Sequence, residues 1–336
     1  MNTTKFLWNA ARVGHKGALP ILSFPAASRL NVTVKELVHS AQLQAQAIEY
    51  VATHTPTVAA VSLMDLSVEA EAFGAKARFA DNEVPAITGQ LVSDGDEAGA
   101  LEVPDLSKGR AQLCVEAVRQ AKQLIKDKPV LAGVIGPYSL AGRLMDVTEI
   151  FYTCYDEPEV VHTVLNKAEA YISAYIEAFR EAGADGVVMA EPLAGLLSPE
   201  MAGEFSHSVV KRIIKRVQSE NFPVVYHNCG NTVAAMLPQV FDLGAAAYHF
   251  GNVLNMAEVM KQAPSGALCM GNIDPAGQFA NGSSESIREA TRQLMRECGG
   301  YANFIPSSGC DIPAHANWDN IKSFFDAVAE SNEQGA

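Results

Sequence analysis

The sequence predicts a (β/α)8 barrel, folded as a single domain over residues 1–336. Three observations carry that prediction. Eight short apolar runs recur along the chain, each about the length of a buried strand. Helical patterns with cap and stop signals lie between most of them. The polar residues suited to chemistry fall where the runs end, and the C-terminal ends of the strands are where such a barrel keeps its active site.

The first run is Leu19–Phe24, preceded by an N-terminal extension. Thr33-Val34-Lys35-Glu36 is a capping box opening a helix to about Thr53. The second run, Thr57–Leu63, leads to Asp65. Residues 75–108 contain Pro85, Pro104, several glycines and many acidic residues. They form an insertion after the second strand, near the barrel mouth, either a lid or a plain surface excursion. A helix follows from about Gly109 to Lys126, then the third run, Val130–Ile135, ending in Gly136-Pro137-Tyr138. Glu157-Pro158-Glu159 opens a helix to about Ala182, ended by Gly183. The fourth run, Gly186–Ala190, leads to Glu191-Pro192. Ser198 caps a helix with Pro199 at its first position, running to about Ser219. The remaining runs are Pro223–His227, Ala245–Phe250, Ala267–Met270 and Asn303–Ile305. A helix over Ser284–Cys298 stops at Gly299-Gly300, and a last one spans about Asn317 to Glu330. The competing architecture is an open doubly wound sheet. No glycine-rich nucleotide fingerprint follows any run, and Gly133-Val134-Ile135-Gly136 lacks the third glycine.

Composition narrows the function classes. At 336 residues and 48% hydrophobic, the chain can bury a large core. No apolar run reaches transmembrane length, and Met1–Arg12 does not read as a secretory signal, so a membrane role is not expected. Six cysteines without regular spacing point to a reducing, cytoplasmic setting rather than a disulfide scaffold. A formal net charge of −13, with no basic stripe, disfavours nucleic acid as a partner.

The stretch with the most chemistry is Tyr226-His227-Asn228-Cys229-Gly230-Asn231-Thr232. Side chains two apart on a strand face the same way, so His227 and Cys229 emerge together where the fifth strand ends. Imidazole and thiolate so placed make half of a zinc site. Cys310, in Ser307-Ser308-Gly309-Cys310-Asp311, ends the eighth strand and is the third candidate ligand. In a barrel the two half-sites share one mouth. Asp65, Tyr138, Glu191, His249, Asn272 and Asp274 end other strands. Cys114, Cys154, Cys269 and Cys298 sit in apolar surroundings or at a helix end and are expected to be core or incidental.

These stretches together resemble the uroporphyrinogen decarboxylase superfamily. The matching segments are Gly136-Pro-Tyr-Ser-Leu-Ala-Gly142, Glu191-Pro-Leu-Ala-Gly-Leu-Leu-Ser-Pro199, His227-Asn-Cys-Gly-Asn-Thr232, Met270-Gly-Asn-Ile-Asp-Pro275 and Ser308-Gly-Cys310. Within it the chain is similar to the methylcobamide:coenzyme M methyltransferases. The decarboxylases carry Arg-Gln-Ala-Gly-Arg-Tyr after the first strand to hold porphyrinogen carboxylates. Here that region reads Phe24-Pro25-Ala26-Ala27-Ser28-Arg29-Leu30, with only Arg29 left.

The resemblance implies a zinc-dependent methyltransferase with His227, Cys229 and Cys310 as ligands. A substrate thiolate on zinc would take the methyl group from Co(III) of a methylcorrinoid. No Asp-x-His-x-x-Gly stretch is present to ligate cobalt, so the corrinoid is expected on a separate protein. The acceptor would be coenzyme M, another thiol or tetrahydrofolate. Glu191 is a candidate fourth ligand or proton acceptor, or else a salt-bridge or helix-capping residue. Asp65 orients substrate or caps a helix. Tyr138 lines the cofactor cleft or fills the core. Asn272 is a candidate cofactor-binding residue, and Asn272 and Asp274 match a stretch that shapes the mouth through backbone hydrogen bonds. His249 is expected to be structural. The alternative function is a decarboxylase-like lyase.

Overall fold

The computed structural model describes residues 1–334. Among the described residues nine strands form: β1 Ala60–Val61, β2 Lys76–Arg78, β3 Ala86–Thr88, β4 Val130–Ile135, β5 Gly186–Ala190, β6 Val224–Asn228, β7 Ala247–Phe250, β8 Leu268–Ile273 and β9 Phe304–Ser308. Seven of them make one curled parallel sheet in the order β1-β4-β5-β6-β7-β8-β9. Helices follow the strands, as right-handed parallel crossovers require.

The first expected strand, Leu19–Phe24, is not a regular one. Pro20 has no N–H to give a ladder. Side chains and single backbone bonds hold the segment instead. Ala18 O accepts from Val58 N at 2.9 Å, and Leu19 N donates to Pro306 O at 3.1 Å. Ile21 N donates to Ser308 Oγ at 3.0 Å. The segment therefore links the two edges of the seven-stranded sheet and closes the barrel.

The core divides by strand parity. Val61, Leu131, Val188, Val225, Ala247, Leu268, Met270 and Ile305 fill the interior, joined by Leu19 and Ile21. Leu7 and Ala11 belong to the same cluster, so the helix Thr3–Ala10 and the residue after it plug one end of the barrel. The alternate residues, such as Val187, Met189, Val224, Tyr226 and Tyr248, face the surrounding helices. Both faces of each strand are buried, which is why the runs read as continuously apolar.

Several expected elements form with altered limits. The capping box at Thr33 and Glu36 is present. The helix it opens stops at Val38, and Ser40 caps a second one over Ala41–His54. The helix after Pro199 contains a π turn over Gly203–His207 before continuing to Val217. Residues 75–108 hold an antiparallel hairpin of β2 and β3 and a short helix, Gly95–Ala100. Phe79 of that stretch lies under the Arg110 guanidinium, 4.8 Å from ring centroid to Cζ. Among the described residues, no helix is long and apolar enough to cross a membrane.

Candidate metal centre

Val225 faces the barrel interior, so His227 does too, and Cys229 follows two residues on at the rim. After β9 the chain turns at Gly309, whose N–H donates to Ile273 O at 2.6 Å, and this brings Cys310 over the same mouth. One ligating atom each of His227, Cys229 and Cys310 lies within 4.8 Å of the others. Among the described residues this is the group of three or more His, Cys, Asp or Glu side chains that converges closely enough to hold a metal.

Glycines make the approach possible. A Cβ on Gly230 would sit 2.3 Å from Gly195 Cα, and one on Gly251 would sit 2.6 Å from Cys229 Cβ. The loops after β5, β6 and β7 thus pack backbone against backbone around Cys229.

The two thiols shift each other in opposite directions. The hydrogen bond from Cys310 pulls the Cys229 thiol down, while the same contact and burial push Cys310 up to about 12. Cys229 is the more readily ionised thiol of the pair. Cys310 Sγ also lies 3.5 Å from His227 Nε2.

Hydrogen bonds behind His227 fix its tautomer. Ser307 Oγ donates to Leu19 O at 2.6 Å, since a carbonyl can only accept. His249 Nε2, 2.8 Å from Ser307 Oγ, must therefore donate to it. That leaves His249 Nδ1 as an acceptor, 2.8 Å from His227 Nδ1. His227 consequently carries its proton on Nδ1 and turns the Nε2 lone pair to the thiols. Burial, and then proximity to His227, hold His249 well below an ordinary histidine, so it stays neutral as this chain of bonds requires. The sequence gives His249 no functional role, yet a signal for one exists. Ala247 faces inward, and His227 and His249 are register partners on adjacent strands.

The other candidates are placed as follows. Glu191 is fully buried, with Oε1 accepting from Ser139 N at 2.7 Å and Ser139 Oγ at 2.9 Å, and Oε2 from Tyr138 N at 3.3 Å. It caps the helix Pro137–Met145 and does not join the converging donors. Burial pushes its carboxyl up to about 8 against those bonds. Asp65 accepts from Ser67 N and Oγ and pairs with Arg110 at 2.5 Å. Tyr138 does not line a cleft. Its ring is fully buried, with the hydroxyl 3.7 Å from Cys154 Sγ, because the first turn of its helix points it into the core. Asn272 donates to Gly251 O and Leu254 O at 2.9 and 2.8 Å, and Asp274 accepts from the amides of Ala276 and Gly277. Both stabilise the mouth through backbone bonds. Cys154, Cys269 and Cys298 are buried, Cys114 partly so, and burial raises all four thiols.

A cavity of about 330 Å³ opens beside the cluster. Cys229, Gly230 and Asn231 line one side, and Ser139, Arg143, Leu193 and Leu196 the others. Asp311, next to Cys310, has Oδ1 buried without a partner, and burial holds its carboxyl well above the usual range.

A parallel β/α barrel with a soft-donor cluster at its C-terminal mouth defines a class of barrel enzymes that act at that rim. The chain matches the uroporphyrinogen decarboxylase (URO-D) family over residues 17–331 and belongs to that family. It is 26% identical over 287 residues to uroporphyrinogen decarboxylase of Neisseria meningitidis serogroup C, covering 82% of this chain and 79% of that one. It is 25% identical over 269 residues to the methylcobamide:CoM methyltransferase MtbA of Methanosarcina acetivorans, covering 79% and 77%. In fold, a methyltransferase from Methanosarcina mazei superposes with a TM-score of 0.87 at 22% identity, over 99% of both chains. A B12-independent methionine synthase from Shewanella follows at 0.58 and 12% identity, over 95% of both. The sequence relatives are enzymes of two kinds, decarboxylases and a methyltransferase.

Proposed function

We infer that the protein is a corrinoid-dependent methyltransferase that uses zinc and a thiol acceptor. The observation that carries this is the convergence of His227, Cys229 and Cys310 at the mouth, beside a cavity large enough for a small molecule. One imidazole nitrogen and two thiols are a donor set suited to zinc with a fourth position left open. Bound there, zinc would keep a substrate thiol as its thiolate at neutral pH.

The chain's own residues prepare that site. The bonds through His249 and Ser307 present the His227 Nε2 lone pair. Cys229 is the more readily ionised thiol of its pair. In the overall reaction the acceptor's sulfur–methyl bond forms as the methyl–cobalt bond breaks. The bonding pair stays on cobalt, which passes from Co(III) to Co(I), and the thiol proton leaves to solvent. The corrinoid arrives on a separate protein, because this chain lacks the stretch expected to ligate cobalt.

The decarboxylase relatives favour a second reading, a lyase acting on a carboxylated small molecule. Arg29 weighs against it. Its guanidinium stacks over Trp318, 5.2 Å from the ring centroid, in a groove with Tyr50 and His54. It is committed there and not to the metal-site cavity.

The test is elemental analysis of the purified protein, followed by methyl transfer from free methylcobalamin to a thiol. The methyltransferase reading expects about one zinc per chain. Cys229→Ser should lose transfer while keeping the barrel's circular dichroism. Absence of bound zinc after metal is supplied under reducing conditions, or full activity in the variant, would sink this function.

A further inference from the structure

Among the described residues ten large apolar side chains are exposed, and five of them stand on the mouth side of the barrel. Val147, Tyr152, Tyr155, Leu196 and Val253 belong to the connections that leave the C-terminal ends of β4, β5 and β7. Val147 and Leu196 line the cavity beside Cys229 and are 43% and 49% exposed. Two residues after Val147 begins the helix Glu149–Asp156. It buries Ile150 and Cys154, four apart, and rests Phe151 against Tyr138 with the ring centroids 6.3 Å apart. Its outer stripe is Glu149, Tyr152, Tyr155 and Asp156, with the two rings 63% and 74% exposed. The fold gains nothing from holding two tyrosines in water one turn apart. Exposed apolar surface with aromatic rings in it marks a protein interface.

The charge around this patch has one sign. Residues 79–107 carry seven acidic residues, 146–159 five and 192–207 two. None of these segments contains any of the chain's 25 lysines and arginines. The three are neighbours in space. Leu91 N and Val92 N donate to Leu144 O at 2.8 and 3.0 Å, at the end of the helix Pro137–Met145 and just before residues 146–159. Glu204 Oε1 lies 3.1 Å from His162 Nε2, near the start of the helix Pro158–Glu181. A second copy of the chain would bring the same carboxylates to a two-fold contact on this face and be repelled. Nucleic acid and an anionic membrane surface are repelled for the same reason. A protein with a basic face is attracted to the rim and oriented by it, while the apolar centre supplies the contact that holds it.

We propose that the outer stripe of the helix Glu149–Asp156, with Tyr152 and Tyr155 as its anchors and Val147 and Leu196 beside them, is the docking face for the protein that delivers the methyl group, and that this partner meets it with a basic surface. This rests on the function above, in which the methyl group arrives on a separate protein, and adds the place of contact and the sign of the partner's charge. Val147 and Leu196 belong both to the patch and to the lining of the cavity, so a protein seated on the patch covers the opening beside Cys229.

The test compares two methyl donors, free methylcobalamin and a purified methylated corrinoid protein, with one thiol as acceptor and with salt raised from about 20 to about 500 mM. The proteins are wild type, the double variant Tyr152→Ala/Tyr155→Ala and the double variant Glu149→Lys/Asp156→Lys. These four side chains lie on the outside of the helix, so both variants should keep wild-type rates with free methylcobalamin, which needs no docking face. With the protein donor, wild-type kcat/KM should fall about tenfold or more as salt rises, because the encounter is steered by charge. The tyrosine variant should lose roughly tenfold to a hundredfold through KM at every salt concentration, as removal of central aromatic anchors does. The lysine variant should lose a similar factor at low salt and approach wild type at high salt. An unchanged rate with the protein donor in both variants, or equal losses with both donors, would overturn the proposal. So would self-association of wild type, seen by sedimentation, that the tyrosine variant abolishes, since the face would then belong to a second copy. Failure of wild type with both donors would instead overturn the methyltransferase function, and the methyl-carrying partner with it.

Discussion

At the scale of single residues, the argument turns on groups held in one protonation state. His249 donates to Ser307 and accepts from His227, so it sets which nitrogen of His227 faces the thiols. His249→Phe keeps the ring and its burial but removes that acceptor. His227 Nδ1 retains the weaker contact to the His249 carbonyl oxygen at 3.2 Å, so the loss is graded. Zinc affinity should fall roughly tenfold to a hundredfold, as for other partners of metal-bound histidines. Competition with a chromophoric chelator measures it, and wild-type affinity in the variant would reduce His249 to packing.

Glu69 gives a second residue-scale prediction. Burial raises its carboxyl to about 7, only partly opposed by the Ile135 amide. Between the ordinary glutamate range and about 7, the unfolded chain has released this proton and the folded chain has kept it. Stability therefore falls as pH rises through that window and is flat on either side. Glu69→Gln removes the titration and keeps an oxygen for the Ile135 amide. From about pH 5 to about pH 8, urea unfolding should show wild type losing up to about 3 kcal/mol that the variant does not. Parallel pH profiles would acquit Glu69. Neither role was legible from residue identity. A buried histidine or glutamate looks the same in sequence whether its partners are core atoms or a ligand's second support. His227, Cys229 and Cys310 were legible because their type and their position at strand ends agree.

At the scale of elements, the loops after β5 and β6 touch through Gly195 and Gly230, where an added Cβ would lie 2.3 to 2.5 Å from the opposing backbone. Gly230→Ala must separate the loops and carry Cys229 with them. A stability loss of about 1–3 kcal/mol, typical of overpacking, should accompany weaker zinc binding. Gly203→Ala, where a Cβ meets nothing within 4 Å, is the control and should change neither. Zinc affinity unaltered in Gly230→Ala would mean that the loop contact does not position the ligand. Caps and stops were the most readable features at this scale, because a Thr33–Glu36 box or a Pro199 turn is local chemistry. The first strand was misjudged because apolar runs do not report hydrogen bonds. Pro20 and the side chains of Ser307 and Ser308 decide that segment, and two of the three lie at the other end of the chain. The β2–β3 hairpin escaped notice for the converse reason. Its strands are three residues each, exposed or half-buried, without an apolar pattern.

At the scale of the whole molecule, the donor cluster ties the end of β6 to the turn after β9, and Cys310 and His227 stand 83 residues apart in the chain. Such a constellation exists only when the barrel is closed, so metal that binds it must favour the folded state. At a free zinc concentration a thousand times the dissociation constant, the added stability is about 4 kcal/mol. Chelator-stripped protein should therefore melt several degrees below protein with zinc restored. Cys310→Ala should keep the lower melting temperature whether or not zinc is present, because two donors on one strand end remain and the link across the mouth is gone. Amide exchange offers the spatial check. Zinc should slow exchange at Asn228–Gly230 and at Gly309–Ile312 together in wild type, and at neither in the variant. Protection that appears only at the β6 end would show that the metal is held by His227 and Cys229 without Cys310. The barrel closure would then be independent of the metal, and the three-donor site would have to be abandoned.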